Sequence, residues 1–277
     1  MKFAVVIVSF PGYVHSQCFE EVAEAVHRGL LELGHVSMRT NDLSSVEPGW
    51  RPIVFGSHLL HSSTLFPPGT ILYNLEQVGA ANVTEDNFRL YGKHALWDYS
   101  AANVRKLKEL GLDAALVPIG YAETLTRIAP VEEDIDVLFY GAMNQRRADI
   151  IQELRYRGAN VVALEGIYGA ERDAMIARAK LVLNIHYYET SVFESARMVY
   201  LLANKKCVLS EDSVDPDFVG GLVFAPYDEL VDACRVLLGD EEKRKQIAEK
   251  GFEIVRARTM TEDLRAALQS STSAKTR

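Results

Sequence analysis

The stretch Ile135-Asp-Val-Leu-Phe-Tyr140 runs directly into Gly141-Ala-Met-Asn144-Gln-Arg146-Arg147, and its reading decides the fold. A short, mostly apolar run of bulky side chains reads as a strand buried on both faces. A glycine stands where the chain must turn, and helical spacing from Arg147 to Arg157 follows, closed by Gly158. That sequence of events is the βα step of a parallel sheet. Forward from it, strands at Asn160–Leu164, Leu181–His186 and Cys207–Ser210 alternate with helices at Glu171–Ala179 and Val192–Ala203. Two further helices start near Asp228 and Glu241. Backward from it, Phe3–Phe10 is a buried strand, and Phe19, Val22, Ala23, Val26, Leu30 and Leu33 keep helical spacing up to Gly34. Apolar runs at Pro52–Phe55, Thr70–Tyr73 and Leu96–Tyr99 precede a helix over Ala101–Leu110 and a strand at Ala114–Ile119. Between the halves, residues 122–134 (AETLTRIAPVEED) have no period and carry Pro130 and three consecutive acids. The expected architecture is α/β, with two Rossmann-like domains at 1–121 and 135–277 joined by a linker at 122–134.

Composition agrees with a folded, water-soluble chain. Of 277 residues, 48% are hydrophobic and 25% charged, which excludes a disordered protein. A formal net charge of −8 speaks against a general nucleic-acid binder. Cys18, Cys207 and Cys234 are far apart and form no C-x-x-C pair, so neither a disulfide framework nor a structural zinc site is expected. No apolar run approaches the ~20 residues that span a bilayer. The opening MKFAVVIVSF is followed by no small-residue cleavage site and reads as a first strand, so a cytoplasmic location is expected.

In open parallel sheets, ligands bind at the carboxyl ends of the strands. Polar residues crowd those positions here. After Tyr140, Gly141 permits a close turn, and Asn144, Arg146 and Arg147 stand at a helix start, a plausible cradle for a diphosphate. An ordinary surface turn is the plainer reading. After the strand ending at His186 come Tyr187, Tyr188, Glu189, Thr190, Ser191, Phe193, Glu194 and Arg197, with Asn184 just before. Glu194 fits either a capping box with Ser191 or a carboxylate for ribose hydroxyls. Arg197, one turn later, could pair with Glu194 or reach a phosphate. His186 is either a satisfied structural histidine or a ligand contact. Tyr168, between Gly166 and Gly169, suits a plain turn or a flat nucleobase. In the first half, His15 after the opening strand is a candidate general base. Tyr13 and Ser16 beside it, with Glu76 and Asp98 at later strand ends, could line a polyol surface, whereas Trp97 could equally be core.

Several site classes are absent. There is no G-x-G-x-x-G after the first strand, no P-loop, no G-x-S-x-G and no H-E-x-x-H. Asp134-Ile-Asp136 precedes its strand rather than following it, so no metal site is expected there.

DVLFYGAMNQRR (136–147), ARAKLVLNIHYYETSVFESARMVYLLANKKCVLSED (177–212) and EKRKQIAEKGFEIV (242–255) together resemble the C-terminal domain of GT-B glycosyltransferases. The likeness is to the bacterial glycosyltransferase family 1 (glycosyl transferases group 1) proteins and the spore-maturation glycosyltransferase-like group. It covers roughly Ile135 to Leu268, and more weakly GYVHSQCFEEVA and LWDYSAANV in the first half. The resemblance implies two domains facing across a cleft, with a nucleotide-diphosphate sugar as co-substrate in the second and a glycan, lipid, protein or small-molecule acceptor in the first. No other cofactor and no metal are implied. Gly141, Asn144, Arg146 and Arg147 match the diphosphate loop, Glu194 the ribose-binding acid, and Glu189 the acid facing the donor sugar. Tyr168, Asn184, His186, Tyr188, Phe193 and Arg197, at or near the same strand ends, complete the expected donor-binding set. Only four residues separate Glu189 from Glu194, against seven in the common retaining pattern, so inversion and retention both remain open. The rival expectations are a non-catalytic nucleotide- or carbohydrate-binding protein and a nucleotide-sugar epimerase on the same scaffold.

Overall fold

A computed structural model describes residues 1–80, 83–189 and 192–273, with backbone alone described at 270–273. The chain divides into two units, Met1–Thr124 together with the segment from Arg258, and Leu125–Ala257.

The first unit is a parallel six-stranded sheet. Its strands are β1 (Lys2–Ile7), β2 (Val36–Thr40), β3 (Arg51–Phe55), β4 (Ile71–Asn74), β5 (Ala95–Asp98) and β6 (Ala114–Leu116), in the order β2-β1-β3-β4-β5-β6. Phe3 to Ile7 are all buried, as a strand covered on both faces requires. Helices α1 (Glu20–Glu32), α2 (Glu85–Tyr91) and α3 (Ala101–Glu109) supply the cover. Thr84 and Asn87 form a reciprocal capping box on α2, and the Ser100 hydroxyl accepts from two amides to cap α3. Trp97 is 1% exposed and packs edge-on against Tyr73, which settles it as core.

The second unit holds a parallel five-stranded sheet: β7 (Ile135–Tyr140), β8 (Val161–Leu164), β9 (Ala179–Asn184), β10 (Val208–Glu211) and β11 (Val223–Ala225), in the order β11-β10-β9-β7-β8. Helices α4 (Gln145–Tyr156), α5 (Gly169–Arg178), α6 (Ser195–Ala203), α7 (Leu230–Leu238) and α8 (Glu241–Arg256) surround it. After β7 the chain places β8 on one side and then β9 on the other, so the sheet switches direction between β7 and β9. Cys207 and Cys234 are buried free thiols in the core, and burial pushes both up to about 12.

The sequence placed everything from 135 onward in the second domain, and the structure corrects this. Helix α9 (Met260–Ser273) lies against α1 in the first unit, burying Met260, Leu264 and Ala267. A Cβ on Gly29 would sit 2.8 Å from Leu264 Cδ1 and 3.2 Å from the Thr261 nitrogen, so glycine permits that approach. Backbone bonds from Tyr121 to Arg258 and from Met260 to Tyr121 (both 2.8 Å) fasten the returning chain. The expected linker is also more structured than its composition suggested. From Leu125 it belongs to the second unit, where Asn204 at the end of α6 accepts from the Arg127 and Ile128 amides and donates to the Leu125 carbonyl. Among the described residues no helix is long and apolar enough to cross a membrane.

Candidate active site at the strand ends of the second unit

The site begins where β7 stops. Gly141 has φ +145°, and a Cβ there would lie 3.1 Å from Arg197 Nη2 and 3.5 Å from Arg147 Nη1. Glycine is thus needed both for the turn and for the approach of two guanidiniums. Asn144 then caps α4. Its Oδ1 accepts from the Arg147 amide (3.0 Å), while its Nδ2 donates to the Tyr187 carbonyl (2.8 Å) and ties the loop after β7 to the loop after β9.

Three guanidiniums face this junction. Arg146 forks onto the Glu211 carboxylate, with Nη1 2.6 Å from Oε2, and stacks 3.9 Å over the Tyr227 ring. Arg147 is 4% exposed; its Nε and Nη1 donate to the carbonyls of Ile185 (2.9 Å) and Ala142 (2.7 Å), and it lies between the Phe139 and Tyr187 rings. Burial, reinforced by neighbouring Arg197, lowers Arg147 to about 10, which still leaves it charged at neutral pH. Arg197 donates to Asn184 Oδ1 (2.7 Å) and lies 4.8 Å over the Tyr140 ring, half-buried.

Two carboxylates and a histidine complete the cluster. Glu194 occupies the N-cap position of α6 and makes no cap bond. It instead accepts from Asn184 Nδ2 and lies 3.4 Å from His186 Nδ1 and 3.8 Å from Arg147 Nη2. Partial burial favours its neutral form, but His186, Arg197 and Asn184 outweigh this and hold the carboxyl at about 2. His186 is fully buried, and its Nε2 lies 3.0 Å from the Asp212 carbonyl and from Ser213 Oγ. Burial alone would lower His186; the facing carboxylates of Glu194 and Glu211 raise it. When protonated, both ring nitrogens face acceptors. Glu211 also takes the His186 backbone amide (3.0 Å), so it organises Arg146 and the β9 loop together.

Arg146, Arg147 and Arg197 converge beside the N-terminus of α4, faced by Glu194 and Glu211, with the Glu189 charge also acting on Arg146 and Glu165 accepting from the Met143 amide (3.1 Å). Arg146 and Arg197 are the partly exposed guanidiniums of the cluster.

The sequence-based site is corrected in several places. Arg147, Asn184 and His186 are buried supports that hold Glu194, Arg197 and the loops, not surfaces offered to a ligand. Phe193 is 1% exposed between the Phe218 and Phe224 rings and is core. The helix starts at Ser195 rather than Val192, so Glu194 precedes it and cannot close a capping box; Ser191, and Thr190 with it, lie outside the described residues. Tyr168 is the half-buried N-cap of α5. Tyr188 and Glu189 are exposed, Tyr188 edge-on to Tyr187 (5.0 Å), and the Glu189 charge acts on Arg146. In the first unit, Asp98 is fully buried and accepts from Asn74 (2.6 Å), Asn103 (3.1 Å) and the Ser100 amide (2.8 Å), so it joins strand ends rather than lining a surface. His15 is exposed, its ring 5.3 Å from that of Tyr13, and Ser16 is buried. Glu76 lies 3.8 Å from His58 Nε2. Sequence reasoning left Glu211 and Tyr227, the carboxylate and ring that hold Arg146, out of the cluster. Glu211 was within reach of the strand-end rule, since it closes β10.

A doubly wound parallel unit with arginines and carboxylates gathered at its switch point belongs to the α/β proteins in which the strand ends at that point form the crevice. The chain belongs to the glycosyl transferase-like family, whose model matches residues 123–268. Its fold is that of GT-B glycosyltransferases. It is similar to the Anabaena protein HepE, solved in complex with UDP-glucose, at 13% identity and a TM-score of 0.65 over 98% of this chain and 100% of that one. It is also similar to AviGT4, a glycosyltransferase involved in avilamycin A biosynthesis, at 15% identity and a TM-score of 0.56 over 97% and 96% of the two chains. In sequence it is similar to an uncharacterized protein of Acanthamoeba polyphaga mimivirus, 32% identical over 185 residues. That match spans 61% of this chain and 59% of the relative.

Proposed function

We propose that the protein transfers a sugar, a hexose in the first instance, from a nucleotide-diphosphate donor to an acceptor hydroxyl without a metal ion. The arginine cluster at the β7/β9 switch point carries this reading. The donor's diphosphate rests against Arg146, Arg197, Gly141 and the first amides of α4. Breaking the bond between the sugar and the diphosphate leaves negative charge on the departing phosphate. Groups already in position stabilise that charge, which is usually the largest catalytic contribution. Arg147 works from behind, holding the loops of β7 and β9 in register through Ala142 and Ile185. Glu194, kept ionised by its neighbours, accepts from the ribose hydroxyls, and exposed Glu189 faces the donor sugar. UDP-glucose is the first donor to try, since HepE was solved with it.

Binding of UDP and uridine to the wild type, Arg146→Ala and Arg197→Ala, followed by calorimetry, tests the reading. Each substitution should weaken UDP by about 1.5–3 kcal/mol, the worth of a charged hydrogen bond, and leave uridine nearly unchanged. Equal losses for both ligands count against a phosphate role. Slow release of glucose from UDP-glucose without acceptor distinguishes a transferase from a pure binder.

A further inference from the structure

The imidazole of His186 is fully buried, and each of its nitrogens faces an oxygen. Nε2 lies 3.0 Å from the Asp212 carbonyl, which can only accept, and 3.0 Å from Ser213 Oγ. Nδ1 faces Glu194 Oε2 at 3.4 Å, and no donor reaches it among the described residues. A neutral ring carries a single proton. On Nε2 that proton leaves the Nδ1 lone pair against a carboxylate, and on Nδ1 it leaves the Nε2 lone pair against a carbonyl. Either tautomer sets a buried lone pair against an oxygen, which is unfavourable. Only the doubly protonated ring donates at both ends.

In that form the ring fastens the Glu194 carboxylate, ahead of α6, to the loop that follows β10. Asn184 Nδ2 donates to the same Glu194 oxygen, so the ring is a second donor that fixes it. Glu211 at the end of β10 also faces the ring, and Arg146 Nη1 donates to the His186 carbonyl (3.2 Å). Arg147 and Arg197 act on Glu194 itself. Burial opposes a charge on the ring, but Glu194 and Glu211 outweigh it and raise the imidazole above its ordinary 6.5. The doubly protonated form therefore prevails at pH 6.5 and is lost as pH rises through the raised value.

We propose that His186 is a positioning residue whose doubly protonated ring holds Glu194 in the orientation that accepts ribose hydroxyls, so that nucleoside binding depends on that proton. The proposal rests on the reading of Glu194 as the ribose-binding carboxylate. It adds a requirement that a merely structural histidine would not impose, a pH profile set by one buried ring.

Uridine is the probe, because it lacks the phosphate whose own titration near about pH 6 would overlap that of the imidazole. The full isotope-labelled chain is titrated with uridine and with 2′,3′-dideoxyuridine from low pH upward, and proton NMR of the His186 ring is recorded at each step. The dideoxy analogue keeps the base and removes the hydroxyls. Uridine should bind about three- to tenfold more weakly once the ring has lost its second proton, the worth of one hydrogen bond. Dideoxyuridine should bind alike to both forms. Ser213→Ala removes one acceptor from Nε2 and leaves Asp212 in place. It should move the ring titration and the midpoint of uridine affinity down together. His186→Gln should bind uridine with no dependence on pH, and the two wild-type titrations decide the matter if that variant does not fold. A ring with a single proton at low pH, a uridine affinity that does not follow the ring, or a dideoxy analogue that follows it equally overturns the proposal. So does a failure of uridine to bind where the ring is doubly protonated. UDP added to the same samples keeps the two readings apart. Uridine binding that ignores pH while UDP shifts the Gly141–Arg147 amides refutes the His186 proposal alone, and amides that ignore UDP at every pH refute the transferase reading.

Discussion

Replacing Glu194 by glutamine removes one charge from the cluster and keeps its shape. The amide oxygen can still accept from Asn184, but Arg197, Arg147 and a protonated His186 lose the carboxylate they share, and Glu211 is left to face His186. The gap between about 2 and the ordinary 4.5 corresponds to about 3 kcal/mol favouring the ionised form. The side chain is 27% exposed, so solvent screening trims this, and about 2 kcal/mol is the expected loss at pH 7. The sign follows from the direction of the shift. A carboxyl whose folded value is depressed contributes stability that is complete above pH 4.5 and is lost as pH falls towards 2. The stability gap between wild type and Glu194→Gln should therefore stay open at pH 5–7 and narrow below 4.5. Urea unfolding across that range measures it.

His186 gives a second readout of the same substitution. Its folded value lies above 6.5, so its contribution is complete below 6.5 and is lost as pH rises through the raised value. Without Glu194, burial meets less opposition and the imidazole should titrate lower, which proton NMR of its ring follows directly. A gap that does not change with pH, together with an unmoved His186 titration, would refute the claim that these groups form one electrostatic unit.

Gly29→Val should destabilise the protein by about 1–3 kcal/mol in urea unfolding, because the added atoms meet the Thr261 backbone as well as the movable Leu264. A cost below ~0.5 kcal/mol would mean that α9 does not need the close approach. His15→Ala should lower turnover by 10²–10⁴-fold with donor affinity intact if the reaction inverts configuration. A loss under about tenfold in steady-state turnover removes His15 as the base and favours retention.

The parallel sheets were legible because buried strands leave a continuous apolar run with a glycine or capping residue after it, as Phe3–Ile7 and Ile135–Tyr140 show. The fate of α9 was not. Its amphipathic face fits any apolar groove, and what directs it to α1 is a glycine that lies 235 residues earlier than Leu264. A close helix approach of that kind leaves no local signature, since an isolated Gly29 in a helical pattern reads only as a weak helix former.

The site shows the same division more sharply. Strand-end position alone brought Asn144, Arg146, Arg147, His186, Glu194 and Arg197 into view, and the structure does bring them together at one junction. Strand-end position could not say which of them face a ligand. Arg147 and Arg197 look equivalent in sequence, each an arginine near a helix start after a strand. The structure gives Arg147 two backbone carbonyls and two aromatic faces, whereas Arg197 keeps a side-chain partner and a half-exposed position beside Gly141. That difference depends on where the Ala142 and Ile185 carbonyls point, which is a property of two loops converging from separate strands. Arg147, buried and fastened by two backbone carbonyls, cannot turn to a phosphate without stranding them, whereas Arg197 holds only a side-chain amide and keeps part of its surface exposed. It follows that Arg147→Ala should damage folding before it damages binding, and that Arg197→Ala should do the reverse. Comparing melting temperature and UDP affinity for the two variants decides the assignment, and a pair of variants that lose both properties in the same proportion would defeat it.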